Sequence, residues 1–261
     1  MRMTTTTLIA LTLGCAGGKS STSDSGADPA SDSDGGTLLL DYTAYVDGAV
    51  QVSGVGVRAD GQEGVLVTDF EQVLRVDLAT AEVVGSFSVQ RGDLPEQGAS
   101  EAVDYRPDGS LAVLFPEDSV IGFYSVDGAP LGELALPEGV YHGGMVVFDN
   151  DEALVVADGP LLRRIDLDDG ALVSEVPLSG VSEEVEGLGF DGAALWAVVK
   201  DNGVYRVSLE GGAAEARYTA DEVGEASGVA VLADEEEVVV IISDDDDAYN
   251  AEPGPLRLYL L

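Results

Sequence analysis

Apolar residues in this chain come in short runs cut by turn-forming pairs, a pattern most regular between Glu186 and Gly212, EGLGFDGAALWAVVKDNGVYRVSLEGG. Leu188 and Phe190, then Leu195, Ala197 and Val199, then Val204, Arg206 and Ser208 fall in runs too short for helices. Asp191-Gly192, Asp201-Asn202-Gly203 and Glu210-Gly211-Gly212 separate them, which is the signature of strands joined by hairpin turns. The same pattern recurs as GVGVRADG at Gly54, AVDYRPDG at Ala102, GMVVFDND at Gly144 and GVAVLADE at Gly228. A period of about 40 to 50 residues with four strands per unit predicts an all-β fold, a β-propeller.

The two ends of the pattern complement each other. Residues 37–46, TLLLDYTAYV, read as a strand ahead of the first full repeat, whereas the last repeat supplies only GVAVLAD, VVVIISD and LRLYLL. A strand from one terminus that completes the blade made by the other removes two open sheet edges. The expectation is five blades, at 54–97, 102–138, 144–178, 187–219, and 228–261 completed by 37–46. Six blades would need residues 37–53 to form a whole blade, and that stretch is too short. Residues 37–261 are expected to be one propeller domain.

The N-terminus has Arg2, four threonines, the apolar run LIALTL and then Gly14-Cys15, the layout of a signal peptide over residues 1–14. Cys15 is the only cysteine, so no internal disulfide can form. Its place after a small residue resembles the lipobox of bacterial lipoproteins, with Thr12 where that family usually has Leu. Lipidation of Cys15 is expected. Residues 15–36 would be a lipid-anchored flexible linker, since AGGKSSTSDSGADPASDSDGG is too poor in apolar residues to order itself. No other run approaches the ~18 apolar residues of a membrane span. The expected location is the bacterial cell envelope, at the outer membrane or periplasmic face, or secreted, with the lipid as the sole membrane contact.

Charge narrows the partners. The chain has 49 Asp and Glu against 12 Lys and Arg, a net charge of −37, and its only lysines are Lys19 and Lys200. Such a surface repels nucleic acid, so no nucleic-acid partner is expected; a protein or glycan partner is, with the chain itself a monomer. In a propeller the residues ahead of each blade's first strand share one face with the turns between its second and third strands. That top face receives Ser53, Glu101, His142, Glu186 and Ser227, and from the turns Asp69, Glu71, Glu117, Asp118, Asp158, Lys200, Asp201 and Asp244. Carboxylates converging on one channel repel one another unless a hard cation with oxygen ligands settles among them, which suggests calcium. The candidate ligands are Glu101, Glu186, Asp69, Asp201 and Asp244, with His142 and Lys200 as further ligand contacts. On the opposite face, Asp60-Gly61, Asp108-Gly109, Asp149-Asn150-Asp151, Asp168-Asp169-Gly170 and Asp191-Gly192 have the chemistry of tight turns.

Catalytic patterns are thin. Neither DLDDG at Asp166 nor DDDD at Asp244 has the glycine and terminal glutamate of an EF-hand loop. A serine triad would have to use His142, the sole histidine, and no nucleophile-elbow glycines surround Ser53, Ser100 or Ser227. Glu101 and Glu186 are a candidate glycosidase pair without aromatic subsites, since Trp196 lies inside an apolar strand and reads as core. No catalytic residue is assigned.

The segment VEGLGFDGAALWAVVKDNGVYRVSL, followed by YTADEVGEASGVAVLADEEEVVVIISDDDD, resembles the SdiA-regulated family of bacterial envelope propellers, and more loosely phytase-like and NHL-type propellers. The resemblance implies an envelope propeller with Glu186, Asp201 and Asp244 at a cation site. Phytase activity would need a basic rim, and Lys200 stands almost alone on this face. The function expected is that of a lipid-anchored binding or scaffold module with an acidic, calcium-binding top face. The alternative is a metal-dependent hydrolase, of phosphoesterase or esterase type, at the same face.

Overall fold

The computed structural model describes residues 37–41, 52–68, 72–78, 80, 82–89, 100–157, 161–181, 184–200, 203–209, 213–219, 226–233, 238–244 and 256–260. The expected signal peptide, Cys15, the expected linker, Asp69, Glu71, Asp158 and Asp201 lie outside them. Asp244 is described only as a strand position.

Every described element is a strand. β1 (Thr37–Asp41) is followed by an antiparallel meander of β2 (Val52–Val57), β3 (Glu63–Thr68), β4 (Gln72–Asp77) and β5 (Val83–Ser88). A second meander is β6 (Ala102–Tyr105), β7 (Leu111–Phe115), β8 (Val120–Tyr124) and β9 (Pro130–Ala135). The third is β10 (Tyr141–Val147), β11 (Glu152–Ala157), β12 (Leu161–Asp166) and β13 (Leu172–Pro177), and the fourth is β14 (Val185–Phe190), β15 (Leu195–Val199), β16 (Gly203–Val207) and β17 (Ala214–Thr219). β18 (Ala226–Ala233), β19 (Val238–Asp244) and β20 (Leu256–Leu260) continue the order, and β1 lies antiparallel on β20 with Thr37 opposite Leu260 and Asp41 opposite Arg257. The first strands of the meanders touch in sequence, β2 to β6 to β10 to β14 to β18, and β18 touches β2. The fold is an all-β propeller.

Burial follows from this arrangement. The second strand of each meander has a sheet neighbour on either face, so it is largely buried rather than alternating: LAVLF in β7 and LWAVV in β15 are apolar and buried along their whole length. The outer strands β5, β9 and β13 face solvent and are mostly exposed. Between the sheets sit the fully buried Phe115, Leu114, Ile121, Leu154, Ile165 and Leu195. Trp196 belongs to one of these clusters, as its sequence context suggested, and donates from Nε1 to Asp191 Oδ2 at 2.9 Å.

A polar exception is Glu63, buried in β3. Its carboxylate takes Arg75 Nε at 2.6 Å and Nη2 at 2.9 Å, and Tyr105 of the next sheet donates its hydroxyl at 2.6 Å. The Arg75 guanidinium holds the Glu63 carboxyl below the usual carboxylate range, against the opposing effect of burial.

The inner strands approach closely because glycines lie where they touch. A Cβ on Gly54 would sit 2.7 Å from the Ala102 Cα, and one on Gly187 would sit 2.7 Å from the Ser227 carbonyl oxygen. Backbone atoms cannot swing aside as side chains do, so Gly187→Ala must push β14 and β18 apart. The expected cost is about 1–3 kcal/mol, read as a fall of roughly 3–10 °C in the thermal melt. An unchanged melting temperature would mean that the two strands are not held at this distance.

Candidate functional site

One recurring irregularity builds the top face. In four of the inner strands the ladder slips near its start, between Val52 and Gly54, Tyr141 and Met145, Val185 and Gly187, and Ala226 and Gly228. Such a bulge interrupts the regular ladder at one residue and re-aims its side chain. The residues so released are Ser53, His142 with its two glycines, Glu186 and Ser227. All four line a single cavity of about 560 Å³ together with Glu101, which enters just ahead of β6. Glu117, Glu184 and Lys200 complete its charged wall.

The convergence of Glu101, Glu186, His142 and Lys200 is therefore a fact of the fold. Lys200 Nζ lies 3.1 Å from Glu186 Oε1, and His142 Nδ1 lies 2.6 Å from Glu184 Oε1. The space beside Gly143 is bounded on both sides: a Cβ there would be 3.0 Å from the Glu186 carbonyl oxygen and 3.7 Å from Glu101 Oε2. The Glu101 carboxylate thus reaches across toward the entry of β14. Four carboxylates face one ammonium and one imidazole, which favours a positively charged guest. Among the described residues no three His, Cys, Asp or Glu side chains are gathered closely enough to hold a metal ion. Ser227 Oγ is bonded to the Val52 carbonyl oxygen at 2.5 Å and Ser100 Oγ to that of Thr68 at 3.2 Å, so both hydroxyls tie backbone to backbone.

The opposite face contains the expected turn formers. Asp60, Asp108 and Asp191 accept from Gln62, Ser110 and Ala193 backbone N–H groups at 3.1, 2.8 and 2.8 Å. Gly109 and Gly192 follow with φ of 83° and 89°, where a side chain would be strained. Two residues that the sequence did not single out matter more. Glu184 was hidden in the acidic run SEEVEG, and its role appears only once β14 is placed beside His142. Asp104 looked like an ordinary polar position of a half-buried strand, yet it faces the channel between β6 and β10. Its Oδ1 accepts from Tyr105 N and its Oδ2 from Val147 N, both at 2.8 Å. As a residue Asp104 is half-buried, but protein encloses its carboxyl so closely that burial pushes the pKa up to about 7. The two backbone N–H groups pull the other way without compensating.

No protein-family model matches the chain, and no curated protein matches it in sequence. Solved structures do match in shape. The glutaminyl cyclase of Myxococcus xanthus superposes with a TM-score of 0.63 over 86% of this chain and 97% of that one, at 15% identity. A Bacteroides caccae protein of unknown function gives a TM-score of 0.53 over 72% of this chain and 73% of that one, at 17% identity. At this identity the likeness is one of fold. It supports the propeller and leaves the SdiA-regulated, phytase-like and NHL-type resemblances without a matching family.

The Asp104 carboxyl gives a signed pH dependence. An unfolded Asp titrates near ~3.9, so the raised folded value means that folding favours the protonated form. Its stabilising contribution is complete below about pH 4 and is lost as pH rises through about 7. Urea midpoints of the parent and Asp104→Asn should differ more in the parent's favour at pH 5 than at pH 8, by about 1–3 kcal/mol. A difference that does not change with pH would show that the carboxyl titrates normally.

Proposed function

We propose that this chain is a ligand-binding β-propeller of five blades, closed by β1 in the last sheet, that takes a cationic guest in its top cleft. The observation carrying this reading is the meeting of Ser53, Glu101, His142, Glu186 and Ser227, one residue from the start of each inner strand, in one cavity. Such a site is presented by the ends of the inner strands. Calcium is the first guest to consider, with Glu101 and Glu186 as ligands and Asp69, Asp201 and Asp244 as the remaining carboxylates of that face. A protein or glycan partner would then engage the calcium-organised surface. Lipidation at Cys15, with the linker behind it, would hold the propeller at the envelope.

Binding to the folded state alone raises the melting temperature by mass action. Calcium at about 100 times its dissociation constant should stabilise by about 2.7 kcal/mol, or roughly 5–10 °C. Sodium at matched ionic strength reproduces only general screening of the −37 charge. Magnesium should do less than calcium, because it demands a tighter octahedron. Glu101→Gln should abolish the calcium-specific part, and Lys200→Met should enlarge it by freeing Glu186. Equal shifts from calcium and sodium would end the calcium reading. Turnover of an ester or phosphoester by the calcium-loaded protein would instead favour the metal-dependent hydrolase, for which the His142–Glu184 pair is the supporting feature, since a carboxylate orients an imidazole as general base.

The anchor has its own test. Cys15→Ser should move the protein from the membrane fraction to the soluble one, and recovery of parent and variant in the same soluble fraction would refute lipidation.

A further inference from the structure

We propose that the mouth of the channel opposite the top cleft is a second binding site, for an organic monoammonium ion with an apolar body, anchored on Asp104. The inference is independent of the top cleft, because it rests on a different cavity with different residues.

That cavity holds about 590 Å³ and is framed by residues of all the inner strands β2, β6, β10, β14 and β18. Its volume falls within the range of small-molecule sites, about 300–1,000 Å³. Its walls are about half apolar: Val55, Val146, Leu188, Phe190 and Val229 share the lining with the charged residues of the rim. A carboxylate enclosed by protein is costly to ionise unless a cation joins it, and a cation with a short hydrocarbon body satisfies both the charge and the apolar part of the walls.

Asp104 has acceptor sites left for such a partner. Each of its oxygens accepts one backbone N–H, from Tyr105 and from Val147, and a carboxylate offers about four lone-pair sites. The carboxylate also lines the cavity, and β2 approaches it with a glycine: a Cβ on Gly56 would lie 2.8 Å from Asp104 Oδ1. Bridging β6 to β10 is a structural role, and it uses one acceptor site per oxygen. An ammonium, with three donors, would take the others.

The rim excludes anions. The lining acids are Asp60, Asp104, Asp108, Asp149 and Asp191, against Arg58 and Arg106. Both guanidinium groups are already tied to carboxylates: Arg58 to Asp60 at 2.9 Å and to Glu63 at 3.3 Å, and Arg106 to Asp151 through Nε at 2.9 Å.

The test titrates the full chain at pH 8 with hexylammonium chloride, and with ammonium chloride and sodium hexanoate at matched ionic strength. Hexylammonium should bind and raise the melting temperature, while ammonium and hexanoate should not. Its affinity should fall about tenfold per pH unit once the pH drops below about 7, as Asp104 takes up its proton. Asp104→Asn should weaken it at least tenfold. Ala59→Lys, on the exposed rim in the turn after β2, should weaken it several-fold and remains informative if Asp104→Asn does not fold. Glu101→Gln should leave it unchanged. Unchanged affinity in a folded Asp104→Asn or in Ala59→Lys, a pH-independent affinity, or loss of binding in Glu101→Gln would each overturn the proposal.

Discussion

Backbone-to-backbone contact between neighbouring inner strands is the constraint from which the other features follow. Gly54 and Gly187 bring β2 onto β6 and β14 onto β18 with no side chain between them. Glycine costs conformational entropy in a strand, of the order of 0.5–1 kcal/mol relative to alanine, and here it is needed because a methyl group would separate the sheets. Close approach at the axis leaves the large apolar residues to fill the widening space between sheets farther out. It also narrows the channel, so that the few side chains entering it from either end meet one another.

The junctions between sheets use different chemistry. The first and second meanders share the buried Glu63 group, to which Tyr105 donates across the boundary. The second and third are joined by Asp104 accepting from Val147 N and by the Arg106–Asp151 ion pair. The third and fourth are joined by an apolar cluster that includes Val146, Leu154, Leu188 and Leu195, with Phe148 edge-on to Phe190 at 4.9 Å between centroids. Polar junctions fix register, because a carboxylate finds its donors in one position only. The apolar junction tolerates small shifts and contributes area.

Much of the fold was legible because its repeat is punctuated by residues with particular backbone needs. Asp-Gly turns marked the strand ends, and continuous apolar runs marked strands covered on both faces. The site was legible in part for the same reason: Ser53-Gly54 and Glu186-Gly187 place a polar residue before the glycine that contacts the next strand, and Ser227-Gly228 repeats the pair. What those pairs do not disclose is the slip in register that frees the polar residue, since a bulge is a relation between two strands. Asp104 escaped notice for a related reason. AVDY reads as a strand with one polar position, and nothing local reveals that a second sheet covers that position.

The bulges also bear on how such a molecule diversifies. A residue at a bulge stands outside the regular ladder, so the sheet constrains its identity less than that of its neighbours. Rewriting the positions now held by Ser53, His142 or Glu186 changes the chemistry of the cavity, whereas Ser227 also ties β18 to β2 through its hydroxyl. The first three amount to a short combinatorial code read on a fixed frame. Descendants of one ancestral propeller could therefore diverge in ligand while keeping the same strands, and a library randomised at these positions would vary recognition separately from folding.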